Sequence, residues 1–141
     1  MISSPGAVYG REAIKRIFKR KNGPITSVVP KPKLGYTARE HAEKVAYPLW
    51  KGGIDCCKDD ENLVDLKFNK FEDRVKFLSK FRDKAEKETG DVKDAFINVT
   101  SPDLKELERR IKIIHNHDFK YFMLDVVVSG FTAVGTACEL A

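Results

Sequence analysis

Four short apolar runs, at residues 25–29, 53–57, 95–99 and 121–128, punctuate the chain, and a stretch with helical spacing separates each from the next. Parallel strands need a long return path, usually a helix, so this alternation predicts parallel pairing with right-handed crossovers. The fold class is α/β. Strands that are apolar throughout expect cover on both sheet faces, which suits a (β/α) barrel or a doubly wound sheet. No glycine-rich phosphate fingerprint follows the first strand, which disfavours a nucleotide-binding Rossmann unit.

The intervening segments carry helix signals of their own. Ala13, Ile14, Ile17 and Phe18 fall at helical spacing within the basic segment 11–21. Thr37 and Glu40 have capping-box spacing, so a helix follows to about Trp50, with Pro48 fraying its last turn. Phe68, Phe71, Val75, Leu78 and Phe81 mark one face of a long helix that ends near Gly90. Ser101 and Pro102 read as the N-cap and first-turn proline of another helix, whose buried side is Leu104, Leu107, Ile111 and Ile114.

Residues 119–140 form the longest apolar stretch, yet a membrane span there would take Asp125, Ser129, Thr132, Thr136 and Glu139 into lipid. One central Asp alone costs about 2.5–3.5 kcal/mol on insertion scales. Residues 121–128, rich in aromatic and β-branched side chains, read instead as a buried strand ending at Ser129-Gly130, with a final helix from about Phe131.

A formal charge of +5 is spread unevenly, because residues 1–36 hold eight Lys and Arg against the single acid Glu12. A basic head of this kind suits a nucleic-acid arm, a leader, or a charged helix beside an anionic substrate. Three cysteines, two of them adjacent, give neither a zinc pattern nor an even disulfide framework, which points to a reduced, cytoplasmic chain. His115 and His117 are two apart and fall on different sides of a helix, which argues against a shared metal.

Polar residues collect where the strands end: Lys31 and Lys33, then Lys58, Asp60 and Glu61, then Asn98 and Thr100, then Asp125 and Ser129. A barrel with its site on the carboxyl-terminal face requires this distribution. Asp60 and Glu61 offer hard oxygen ligands suited to magnesium. An ammonium at Lys58 would repel the ion, but the neutral amine can add carbon dioxide and become a carbamate, a third anionic oxygen donor. A divalent ion held in this way polarises a substrate carbonyl, and Lys31 and Lys33, on either side of Pro32, supply a base and a positive charge nearby. Taken singly, 58–62 also reads as a solvated charge run with a helix N-cap, and 31–33 as a basic loop.

The joint pattern is more specific. The segment 29–35 (VPKPKLG), the segment 52–62 (GGIDCCKDDEN), Glu88-Thr89-Gly90 leading to Asn98-Val99-Thr100, and Asp125 followed by Ser129-Gly130-Phe131-Thr132 together resemble the large subunit of ribulose-bisphosphate carboxylase (RuBisCO). The resemblance runs from about Pro5 to the last residue. At Val29-Pro30 it is nearer to the archaeal form III enzymes.

That resemblance implies the first half, about four β/α units, of a TIM (β/α)8 barrel at residues 25–141, preceded at 1–24 by an interdomain segment and basic helix. It implies magnesium held by Asp60, Glu61 and the carbamate of Lys58, with Lys31 catalytic in enolisation and Lys33 and Asn98 at the substrate. Asp125 matches a strand-end position near the metal. The implied reaction is carboxylation or oxygenation of ribulose 1,5-bisphosphate to give 3-phosphoglycerate. The implied partners are that sugar bisphosphate, carbon dioxide, the rest of the large chain and further copies in a dimer or larger oligomer, with no nucleic acid and no membrane. A separate amino-terminal domain and the second half of the barrel are expected to be missing, so the chain alone is expected neither to fix carbon dioxide nor to stay soluble as a monomer. Two other readings are a RuBisCO-like enolase or isomerase, and a non-catalytic module that binds acidic partners through residues 11–21.

Overall fold

The structure is a computed structural model that describes residues 10–140; residues 1–9 of the expected interdomain segment lie outside it. Four strands, β1 (Ser27–Val28), β2 (Cys56–Lys58), β3 (Asp94–Asn98) and β4 (Phe122–Met123), form one sheet in sequence order. Every neighbouring pair is parallel, with Val28 opposite Cys57, Lys58 opposite Phe96 and Ile97 opposite Phe122. The α/β class and the crossover helices are as the spacing predicts.

The helix α1 (Arg11–Ile17) leads into β1. Its apolar side is half-buried, Phe18 at its end is buried, and the Phe18 ring stacks on Tyr121 at 6.0 Å. Arg20 just beyond it pairs with the carboxylate of Asp55, which also accepts from the Thr26 amide at 2.8 Å and the Thr26 hydroxyl at 2.9 Å.

A continuous helix then runs through α2 (Ala38–Glu40), a π-helical stretch (His41–Ala46) and α3 (Tyr47–Lys51). The capping box is present, with the Glu40 amide donating to the Thr37 hydroxyl and the Thr37 amide to the Glu40 carboxylate. Pro48 does not fray the end as expected. It lacks the N–H that an α-turn would use, and the wider π-turns directly before it take up that mismatch, leaving Trp50 fully buried with its indole donating to the Asp94 carbonyl at 3.1 Å.

The long helix α4 (Phe71–Thr89) ends at Gly90, whose φ of 75° is the left-handed conformation that glycine adopts without penalty. Phe68 falls outside this helix and is 46% exposed, because the Phe71 amide is capped by Asp65 at 2.9 Å and the helix begins there. For α5 (Leu104–Asn116), Asp103 rather than Ser101 is the N-cap, its carboxylate accepting from the Lys105 amide at 2.8 Å. The register of α5 buries Leu107, Ile111 and Ile114 but leaves Leu104 exposed.

The largest departure is at the fourth strand, which occupies only Phe122–Met123 of the expected 121–128. Asp125 ends it: its carboxylate accepts from the Val127 amide at 2.9 Å and its carbonyl from the Ser129 amide at 2.9 Å, which closes a helical turn over three valines. Local capping overrides strand propensity here. The resulting α6 (Val126–Leu140) kinks at Gly130, where φ is 75° and ψ is 163°, and continues as the helix expected from Phe131.

Strand side chains alternate between faces. Cys57, Ala95 and Ile97 join Trp50, Phe71, Val75, Leu78, Leu107, Ile111 and Phe119 in the core beneath the helices, and Lys58 and Phe96 take the opposite face. Among the described residues, no helix is long and apolar enough to cross a membrane.

Candidate functional site

Parallel strands in sequence order leave at one end of the sheet, and the loops that follow β1 and β2 are neighbours there. Lys31 and Lys33, in the loop after β1, both end on the Asp60 carboxylate in the loop after β2. Lys33 Nζ lies 2.6 Å from Asp60 Oδ1, while Lys31 reaches Oδ2. Asp60 Oδ1 also accepts from the Asn62 amide at 3.0 Å. Burial opposes ionisation of Asp60, but the two ammonium groups more than offset it and hold its carboxyl well below the usual carboxylate range.

Lys58 is the last residue of β2. Its Nζ lies 2.5 Å from Glu61 Oε1 and 3.1 Å from the Asp59 carbonyl. The hydrogen bond from Lys58 depresses the Glu61 carboxyl below its ordinary value. Lys58, Asp60 and Glu61, with Lys31 and Lys33, therefore form one charged cluster at the strand ends.

The alternation of β2 assigns the intervening acid a different task. Asp59 continues the ladder by donating its amide to the Phe96 carbonyl at 2.9 Å, and its side chain turns back towards the helices. There it is buried, and Oδ2 accepts from Arg74 Nε and from the Asn98 amide, both at 3.0 Å. Asn98, read from the sequence as a substrate contact, is fully buried and donates through Nδ2 to the carbonyls of Asp60 at 3.3 Å and Glu61 at 3.0 Å. Its Oδ1 accepts from the Thr100 amide at 3.0 Å. Asp125 spends its carboxylate capping α6, and its own amide donates to the Thr100 hydroxyl at 2.8 Å.

Arg74 is the residue that sequence reading passed over. It stands three positions after Phe71 and four before Leu78, on the face otherwise filled by apolar side chains, and that placement is the signal for a buried charge with a fixed partner. Burial pushes the Cys57 thiol up to about 12 and raises the Cys56 thiol as well, which removes both from candidacy as nucleophiles.

Among the described residues, no group of three His, Cys, Asp or Glu side chains is placed to hold a metal ion. A cation at this cluster would meet two hard oxygen donors in Asp60 and Glu61, and a third only if the amine hydrogen-bonded to Glu61 became one. The donor set fits a hard, oxygen-seeking cation on that condition.

A family model described as ribulose bisphosphate carboxylase large chain, catalytic domain, matches residues 11–141. The chain belongs to the RuBisCO large-chain family. Its archaeal relatives include the ribulose bisphosphate carboxylase of Pyrococcus abyssi, 44% identical over 129 residues that cover 92% of this chain and 30% of the relative. That of Methanocaldococcus jannaschii is 46% identical over the same shares. Among solved structures, the dimeric archaeal Rubisco of Hyperthermus butylicus superposes with a TM-score of 0.92 at 44% identity, covering 97% of this chain and 32% of that one. The octameric Rubisco of Pyrococcus horikoshii, in complex with sulfate, gives 0.89 at 41% identity, covering 94% and 31%. The chain thus spans 30% of the length of the P. abyssi and M. jannaschii RuBisCOs. The archaeal affinity expected at Val29-Pro30 agrees with these relatives.

Proposed function

We propose that this chain is the segment of an archaeal, form III-like RuBisCO large chain that holds the activating metal, and that it acts on ribulose 1,5-bisphosphate together with the remainder of a large chain. The observation that carries this is the meeting of Lys31 and Lys33 with Asp60 beside the Lys58–Glu61 pair, in a chain of this family. Strands in sequence order with a helix at each crossover support reading residues 25–141 as the first half of a (β/α)8 barrel, with 1–24 as the segment that precedes it in the sequence.

Lys58, as a carbamate, and Asp60 and Glu61 would hold Mg2+. When bound, the ion supplies polarisation of a substrate carbonyl. Forming the carbamate requires Lys58 to give up its pairing with Glu61 and one proton, so that the Nζ lone pair can bond the carbon of carbon dioxide, and then a second proton from that nitrogen; residue 58 thereby changes from cation to anion and the site gains a ligand. Lys31 would then be released from Asp60, and its Nζ, after losing a proton to solvent, would be free to take and return one next to that carbonyl. Lys33 keeps positive charge beside the developing anion. Asn98 holds the backbone of both carboxylate residues in place. The protein would work in the cytoplasm, in a dimer or larger assembly of the kind its structural neighbours form.

The test is fixation of labelled carbon dioxide, dependent on ribulose bisphosphate, by the P. abyssi relative with residues 11–141 of this chain in place of the aligned segment. The chimera should be active, and Lys31→Ala or Lys58→Ala should each lower kcat by about a hundredfold or more. Retention of activity by either variant would contradict the assignment.

A further inference from the structure

Arg74 is fully buried, yet an isolated guanidinium is costly to remove from water, and exchanging a buried ion pair for apolar side chains is often neutral or stabilising. Packing alone therefore does not account for an arginine on a face shared with Phe71, Val75 and Leu78. Its hydrogen bonds do. Nε donates to Asp59 Oδ2 at 3.0 Å; Nη1 to the backbone and side-chain oxygens of Asn69, both at 3.3 Å; Nη2 to the carbonyls of Leu63 at 3.0 Å and Val64 at 2.7 Å. These acceptors bracket the loop that carries Asp60 and Glu61.

Asp59 couples this clamp to the sheet, since the oxygen that receives Arg74 also receives the Asn98 amide, and the Asn98 side chain binds the carbonyls of Asp60 and Glu61. The loop is thus tied on one side to α4 and on the other to β3. The same device recurs one unit along, where the half-hidden loop after β3 is held by Arg110 of α5, donating to the Thr100 carbonyl at 2.6 Å.

We propose that Arg74 is a positioning residue for the RuBisCO site: through Asp59 and Asn98 it fixes the backbone from which Lys58, Asp60 and Glu61 present their ligand atoms, and so sets the affinity for magnesium and the yield of carbamate. The inference rests on the assignment of those three residues under the proposed function. Groups that orient metal ligands from behind commonly govern affinity by 10- to 100-fold.

The experiment titrates Mg2+ into the purified chimera, residues 11–141 of this chain in the P. abyssi relative and otherwise wild type, in 13C-labelled bicarbonate and follows the carbamate resonance, at a fixed interval below each variant's melting temperature. Arg74→Lys keeps the charge but cannot reach all the acceptors, and it should raise the Mg2+ concentration at half-saturation by about tenfold or more. Leu78→Ala, a core cavity with no link to the loop, should lower the melting temperature yet leave half-saturation within about twofold. If Arg74→Lys does not fold, Asn98→Ser, which removes the tie to the Asp60 and Glu61 carbonyls, should show the same tenfold rise. A wild-type signal with half-saturation unmoved in these loop variants, or moved equally by Leu78→Ala, overturns the inference and leaves the metal assignment standing. Absence of any magnesium-dependent signal in the wild type overturns the assignment, and the inference falls with it.

Discussion

Three consecutive acids after Lys58 divide into different tasks, and the pleat decides which does what. Asp59 turns inward to Arg74, and Asp60 and Glu61 remain with the lysines. The lysines and Glu61 were legible from the run itself. The inward turn of Asp59 was not, because it depends on the register of β2 against β3 and on an arginine fifteen residues away in sequence. Asn98 was legible as a strand-end polar group but not as a tether, since its partners lie across the sheet. Two carboxyls give opposite pH dependences of stability. Burial raises Asp94 from its ordinary value to about 6, outweighing the Ala95 and Lys120 amides that donate to it. A raised folded value means stability is gained as pH falls from about 6 towards 4. Glu106 is held down to about 2, first by its hydrogen bond from Arg109, which outweighs burial, and then by Arg110, so its contribution to stability is lost as pH falls from about 4.5 towards 2. Melting temperatures measured against pH should show the wild type gaining on Asp94→Asn through the first window and losing its advantage over Glu106→Gln through the second.

Among elements, those with strong local signals came out as read: the capping box at Thr37, the Gly90 stop of α4 and the sequential parallel strands. Errors fell where an aspartate carboxylate capping a nearby amide set the boundary. Asp65 starts α4 after Phe68, Asp103 displaces Ser101 as N-cap, and Asp125 converts three valines from strand to helix. Asp103→Ala should cost about 1 kcal/mol in chemical denaturation, as N-cap losses do. Gly130 holds a conformation nearly closed to other residues, so Gly130→Ala should cost about 1–3 kcal/mol, whereas Gly135→Ala, in open space on the same helix, should be neutral or slightly stabilising. Equal effects at the two glycines would show that the kink is not needed.

For the molecule as a whole, β1 and β4 each have one unpaired edge within the described sheet, and Val127, Val128 and Phe131 are 90%, 68% and 86% exposed beside β4. An open parallel edge next to apolar surface favours association. Sedimentation of the protein should show a concentration-dependent shift to larger species, and Val127→Lys with Phe131→Glu should restore monomer; a monomer at all concentrations would contradict this. The four-unit alternation made this architecture readable from the sequence, while the exposed valines were hidden by the mistaken length of β4. The account as a whole turns on Lys58 becoming an oxygen ligand. Its most direct test is the carbon-13 spectrum of the chimera that carries residues 11–141 in the P. abyssi relative, in labelled bicarbonate with Mg2+. The account predicts a carbamate resonance that strengthens with the metal, is lost on chelation and is absent from Lys58→Arg. A spectrum without that resonance, or one that Lys58→Arg leaves unchanged, would contradict it.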